Sequence, residues 1–153
     1  YGLPAAISAD LPRAKGLALF LTTELGMDIT GIHVTSSPGQ VQGKTGLEHI
    51  CPDILFNASW EQFNCLIEKK DVSLILGSDL ERRIYNKQKI PLIAISYPTT
   101  TRITLTSQPY MGFKGVLTLV EEMVNLILAT RSYEANITVI NATKNMVLKA
   151  LEL

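Results

Sequence analysis

Two rhythms of apolar and polar positions run through this chain. Pro4-Ala-Ala-Ile-Ser-Ala is a short apolar run that predicts a strand, and Asp10 with Pro12 follows as the start of a helix. Over residues 13–25 the apolar side chains Ala14, Leu17, Ala18, Leu21 and Leu25 recur every three or four positions, the repeat of one helical face, and Gly26 ends it. Ile29 to Thr35 predicts a second strand, and residues 36–46, rich in Ser, Gly and Gln, a loop. Residues 53–57 predict a third strand, and Ser59 opens a helix through Trp60, Phe63, Leu66 and Ile67 that ends near Lys70. Asp71 to Gly77 is a buried strand, after which Ser78 and Asp79 can cap a helix from about Leu80 to Lys87. Pro91 to Ile95 predicts the fifth strand, and from Ser96 to Pro109 the pattern is lost.

The longest rhythm comes last. A turn with Gly112 and Gly115 is followed by a stretch without Pro or Gly to Leu153, in which Val120, Met123, Val124, Ile127, Tyr133, Ile137, Ile140, Val147 and Leu151 recur at helical spacing. A helix of this length cannot hide its own apolar stripe, so it must pack on the chain, on another copy or on a partner. Strands separated by single helices need crossover connections, which predict a parallel sheet covered on both faces. The expected fold is therefore an α/β three-layer sandwich with four or five parallel strands. The expected organisation is a domain at residues 1–115 and a long amphipathic, coiled-coil-like helix at 116–153.

Composition narrows the functional classes. The 153 residues carry 14 acidic and 14 basic side chains, so no basic excess points to nucleic acid or an anionic membrane. Apolar runs are too short for a transmembrane span, no signal peptide is visible, and the two cysteines, Cys51 and Cys65, fit a reduced cytoplasm better than a disulfide scaffold.

Candidate chemistry is sparse. Gly39-Gln-Val-Gln-Gly-Lys-Thr follows a predicted strand, and in a phosphate loop Gly43 and Lys44 would cradle phosphates while Thr45 held magnesium. That motif needs four residues between its first glycine and the Gly-Lys-Thr, and here there are three, so a solvated loop competes with it. Cys51, on a loop beside a strand, is a candidate metal ligand; Cys65, His33 and His49 are the other soft donors, and a lone cysteine cannot make a cluster. His49, Asp53 and Ser59 could be written as base, orienter and nucleophile, but no spacing supports it.

Arg13-Ala-Lys-Gly-Leu, Glu24-Leu-Gly, Pro52-Asp53, Ser59-Trp60, Asp71-Val-Ser-Leu-Ile-Leu-Gly-Ser, Tyr97-Pro98 and Arg102 carry a resemblance over residues 1–128. The chain there resembles the last Rossmann-like domain of nitrogenase component 1 proteins. The most specific piece, Pro109-Tyr-Met-Gly-Phe-Lys-Gly-Val-Leu-Thr-Leu with Val124-Asn-Leu-Ile-Leu, looks like the beta-type subunit. The resemblance implies a parent complex that takes electrons from an ATP-hydrolysing iron protein through an iron–sulfur cluster to a reducing site. Met111 stands where the alpha-type subunit has the histidine that binds the active cofactor, and the cluster cysteines of the family lie upstream. The implied role is a non-catalytic domain, with no catalytic residue and no cofactor of its own, that builds a subunit interface and supports a neighbouring metal site in the cytoplasm.

Arg131-Ser-Tyr-Glu-Ala-Asn, within residues 120–153, is similar to the C-terminal helix of the flagellar proximal rod family, rod-like from about residue 129. This resemblance implies a helix that assembles with copies of itself or other subunits in a flagellar basal body. The two resemblances overlap at residues 121–128, as if one helix had been continued by the other, which implies a fused chain.

Overall fold

A computed structural model describes residues 2–36, 45–100, 110 and 112–151. It divides into two compact units, Tyr1–Leu105 and Thr106–Leu153.

The first unit is a parallel five-stranded sheet. β1 (Pro4–Asp10), β2 (Asp28–Thr35), β3 (Ile54–Phe56), β4 (Leu74–Gly77) and β5 (Leu92–Ala94) lie in the order β3-β2-β1-β4-β5. Every pair is parallel, and the chain reverses its direction of travel across the sheet between β1 and β4. The two central strands are apolar on both faces: Ala5, Ala6 and Ile7 in β1 and Leu74, Ile75 and Leu76 in β4 are fully buried, as a sheet covered on both sides requires. Thr30 is the extra residue of a bulge in β2, where the register shifts between Ala5 and Ala6, and its hydroxyl donates to the Ala5 carbonyl at 3.3 Å.

Three helices join these strands. α1 (Leu11–Thr23) buries Ala14, Ala18 and Leu21. It begins and ends two residues earlier than expected: Pro12 fills the first turn, and Met27 closes the end by donating its amide to the Leu21 carbonyl at 2.9 Å, with Gly26 at a φ of 62° between them. Leu25 therefore falls outside the helix and is part exposed. α2 (Trp60–Lys70) is bounded by a capping box, Ser59 with Gln62, and by Asp71 in a left-handed conformation. It packs Phe63 and Ile67 against Ala6 and Ile75. Gly31 of β2 is small for a reason: a Cβ there would lie 2.9 Å from Leu66 Cδ2 of α2. After β4 a 3-10 turn at Asp79–Glu81 leads into α3 (Arg82–Gln88).

The second unit holds α4, Gly112–Leu151, 40 residues without a break and so about 60 Å long. Its entry is shaped by two glycines. Gly112 has a φ of 72°, and a Cβ on Gly115 would collide with the Tyr110 backbone, lying 2.9 Å from its carbonyl oxygen. The Tyr110 hydroxyl also donates to Glu122, three turns along the helix. Leu119 and Met123 are buried, Leu126 and Thr130 are half-buried, and from Arg131 to Lys149 every side chain is exposed. Among the described residues, no helix is long and apolar enough to cross a membrane.

Candidate functional site

In a doubly wound parallel sheet the place for chemistry is the edge formed by the C-terminal ends of the strands, near the reversal of strand order. Here that edge carries a closed polar cluster. Ser8 near the end of β1, His33 near the end of β2, and Ser78 and Glu81 just after β4 are all buried. The Ser8 hydroxyl donates to Glu81 Oε1 at 2.7 Å, and the Ser78 amide and hydroxyl donate to Glu81 Oε2 at 2.7 and 2.6 Å. Gly77 lets the carboxylate in, since a Cβ there would sit 2.9 Å from Glu81 Oε2.

His33 completes the cluster. Its Nδ1 lies 3.0 Å from Ser8 Oγ, and because the Ser8 proton goes to Glu81, His33 must carry its own proton on Nδ1 and donate to Ser8. That leaves Nε2 as a bare acceptor, and it finds no hydrogen-bond partner in its buried position. The ring packs on Phe63 of α2 with centroids 5.2 Å apart. Burial pushes the His33 pKa down, against the opposing pull of the Glu81 charge and of the Ala58 backbone, which lies close without meeting hydrogen-bond geometry. The cluster holds a serine, a histidine and a carboxylate, yet in the wrong order for nucleophilic catalysis. The histidine would have to accept the serine proton, and that proton is committed to the carboxylate. Its chemical work is to tie β1, β2 and β4 together.

The other edge features are also self-satisfied. Asp79 accepts from Arg82 Nε at 3.2 Å and Nη2 at 2.8 Å, and from the amide and hydroxyl of Thr100. The Asp79 amide donates to the Pro98 carbonyl at 2.9 Å, after the cis Tyr97–Pro98 bond. At the β1–α1 junction, where a dinucleotide-binding fold places its glycines, Asp10 is followed at once by Leu11 and Pro12. A carboxylate there, with one amide removed by proline, presents no anion cradle.

The candidates read from the sequence are scattered. Gly43 and Lys44 lie outside the described residues, as does Met111. Thr45 donates both its amide and its hydroxyl to Glu48 Oε1, at 3.0 and 2.9 Å, and the backbone of Glu48 itself, followed by these turn bonds, lowers the Glu48 carboxyl pKa to about 2. Cys51 is fully buried, its thiol turned to the Asp53 carbonyl at 3.4 Å and its pKa raised by burial, while Cys65 is exposed on α2. The Asp53 carboxylate meets Lys70 Nζ at 2.6 Å, and Ser59 is occupied as a helix cap. Among the described residues no group of three or more His, Cys, Asp or Glu side chains is placed to hold a metal ion. The two cysteines, one sealed and one exposed, do not fit an iron–sulfur cluster. Of the cluster, sequence reading singled out His33 as a donor and Ser78 as a cap; Ser8 and Glu81 were missed, and the Ser78-Asp-Leu-Glu81 capping box was the one local signal of the latter.

Comparison with known proteins gives two matches. The model described as Nitrogenase component 1 type Oxidoreductase covers residues 1–128, and that described as Flagellar basal body rod FlgEFG protein C-terminal covers residues 118–153. The nitrogenase vanadium-iron protein beta chain of Trichormus variabilis is 34% identical over 83 residues, 54% of this chain and 18% of that protein. The nitrogenase molybdenum-iron protein beta chain of Methanococcus maripaludis is 29% identical over 134 residues, 84% of this chain and 28% of that one. The flagellar basal-body rod protein FlgC of Bacillus subtilis is 64% identical over 33 residues, 22% of each chain. A solved structure titled "Nitrogenase Cp1 at pH 6.5" matches with a TM-score of 0.75 at 22% identity, over 87% of this chain and 30% of that one, which shows a shared fold. The chain thus spans 18% to 28% of the length of these relatives. With the match running from the first strand well into α4, the chain belongs to the nitrogenase component 1 type oxidoreductase family.

Proposed function

We propose that this chain is a non-catalytic part of a nitrogenase-like component 1 subunit of the beta type, working in the cytoplasm, whose role is to build a subunit interface beside a metal site held elsewhere. The observation that carries this reading is a second apolar face on the first half of α4. Phe113 is 96% exposed and Leu117 73%, and Val124 and Leu128 continue the row at spacings of seven and four within the segment matched to the family. An apolar row of this kind on a helix marks a surface that another protein covers. The polar cluster at the sheet edge supports the same reading, since its bonds tie strands together and the His33 Nε2 left without a partner is buried. The test is co-expression with the alpha-type subunit of a component 1 protein. Co-purification that is lost in Phe113→Asp/Leu117→Asp, with the melting temperature unchanged, is the expected result; no complex, or a complex that survives the substitutions, would sink it.

A second reading rests on a different part of the helix. Tyr133, Ile140 and Met146 are all exposed in the segment similar to flagellar rod proteins, which favours helix-mediated assembly, with a place in a flagellar basal body if that segment dominates. Replacing Ile137 and Ile140 with Asp should lower the association state seen by light scattering. A monomer before substitution would count against it.

A further inference from the structure

From Leu119 to Val147, α4 keeps one heptad phase, apolar at every position but Thr130 and Lys144. Leu119, Met123, Leu126, Thr130, Tyr133, Ile137, Ile140, Lys144 and Val147 follow one another at alternating spacings of four and three, which is the a/d seam of a coiled coil. The first two are buried, the next two half-buried, and the rest exposed. The same seam therefore passes from covered to bare without a change of phase.

We infer that the bare half pairs with the same half of a second copy of this chain as an antiparallel two-stranded coiled coil, with Ile137 of each copy level with Ile140 of the other. The inference rests on the second reading above, helix-mediated assembly, and names its partner and register. The charge pattern selects the direction. Lys144 occupies a core a position, and in a parallel in-register pair it would face its own copy, ammonium against ammonium, inside the seam. In the antiparallel register Lys144 is level with Tyr133 of the other copy and flanked by its Glu134. The ammonium then finds both a carboxylate and an aromatic ring, and the two-fold axis makes that contact twice. The remaining layer sets Thr130 against Val147. Thr130 brings a methyl to it, because its hydroxyl already donates to the Leu126 carbonyl of its own helix at 2.9 Å.

The same contact selects the register. With Ile137 opposite Ile140, Lys144 is level with Tyr133 of the other copy. Shifting the pair by one heptad towards the N-terminus would set the Lys144 ammonium against Leu126, and shifting it the other way would set it against Ile140, an aliphatic neighbour in either case.

The test uses the full chain with Cys65 replaced by Ser and two single variants, Thr130→Cys and Val147→Cys. Oxidised together, the mixture should give the cross-linked heterodimer. Oxidised alone, neither should cross-link, because like positions in this register are roughly 25 Å apart along the axis. Cross-linking of Thr130→Cys with itself would establish a parallel pair and overturn the inference while leaving helix-mediated assembly standing. A dimer by light scattering that gives no cross-link would overturn the register, and a monomer at all concentrations would overturn both. As an independent check, Lys144→Glu should weaken the dimer about tenfold through its two repeated contacts, and Glu134→Lys added to it should restore affinity. No restoration would remove the charge argument.

Discussion

At the scale of single residues, burial decides which of the described reactive groups can be reached. Cys51 and Cys65 make the contrast measurable: the first is sealed and its thiol pKa raised, the second stands in solvent on α2. A thiol reagent should modify Cys65 within minutes and Cys51 only after unfolding; equal rates would show that Cys51 is not covered. Ser8 is the hinge of the sheet-edge cluster, since one hydroxyl serves both Glu81 and His33. Ser8→Ala leaves two buried polar groups short of a partner and should cost about 1–3 kcal/mol in chemical denaturation. His33 sets a pH dependence whose sign is fixed. Its folded pKa lies below the ordinary 6.5, so as pH falls through that value the unfolded chain takes a proton that the folded chain refuses, and stability drops. Above it both states are neutral and the residue contributes no slope. His33→Gln should flatten the loss of melting temperature between pH 7 and pH 5, in a range where that loss is otherwise seen.

At the scale of elements, Gly77 shows how much of a strand end is set by what must pass beside it. Gly77→Ala places a methyl against a carboxylate gripped by Ser78, and the shift should cost about 1–3 kcal/mol; an unchanged midpoint would show that Glu81 moves freely. The central strands were legible because their apolar runs are continuous, which follows from burial on both faces. Their ends were less so. β4 begins at Leu74 rather than Asp71 because Asp71 closes α2 with a φ of 51°, a conformation that no extended residue shares. The Gly112–Gly115 turn was visible as composition, but the reason for Gly115, the Tyr110 backbone pressed against it, needs coordinates. Glu81 was invisible for a similar reason: its partner Ser8 lies 73 positions away, and no local pattern encodes that meeting.

At the scale of the whole molecule, the chain has a sheet unit rich in internal ties and a helix whose later half makes no burial of its own. Side chains from Arg131 to Lys149 are exposed, so removing residues 131–153 should leave the melting temperature of the rest within about 2 °C while abolishing any self-association. A large drop would mean that the segment is covered within its own chain. The neutral total, 14 acidic against 14 basic residues, gives no long-range repulsion to oppose such association.

The two family matches overlap at residues 118–128, in the interior of one unbroken helix. Because an α-helix satisfies its backbone within a few residues, either match can be continued by the other with no junction to build. What such a splice must keep is angular phase, like two lengths of threaded shaft. One extra residue between Leu128 and Arg131 would rotate everything beyond it by about 100°, whereas seven would leave the two ends aligned to within roughly 20°.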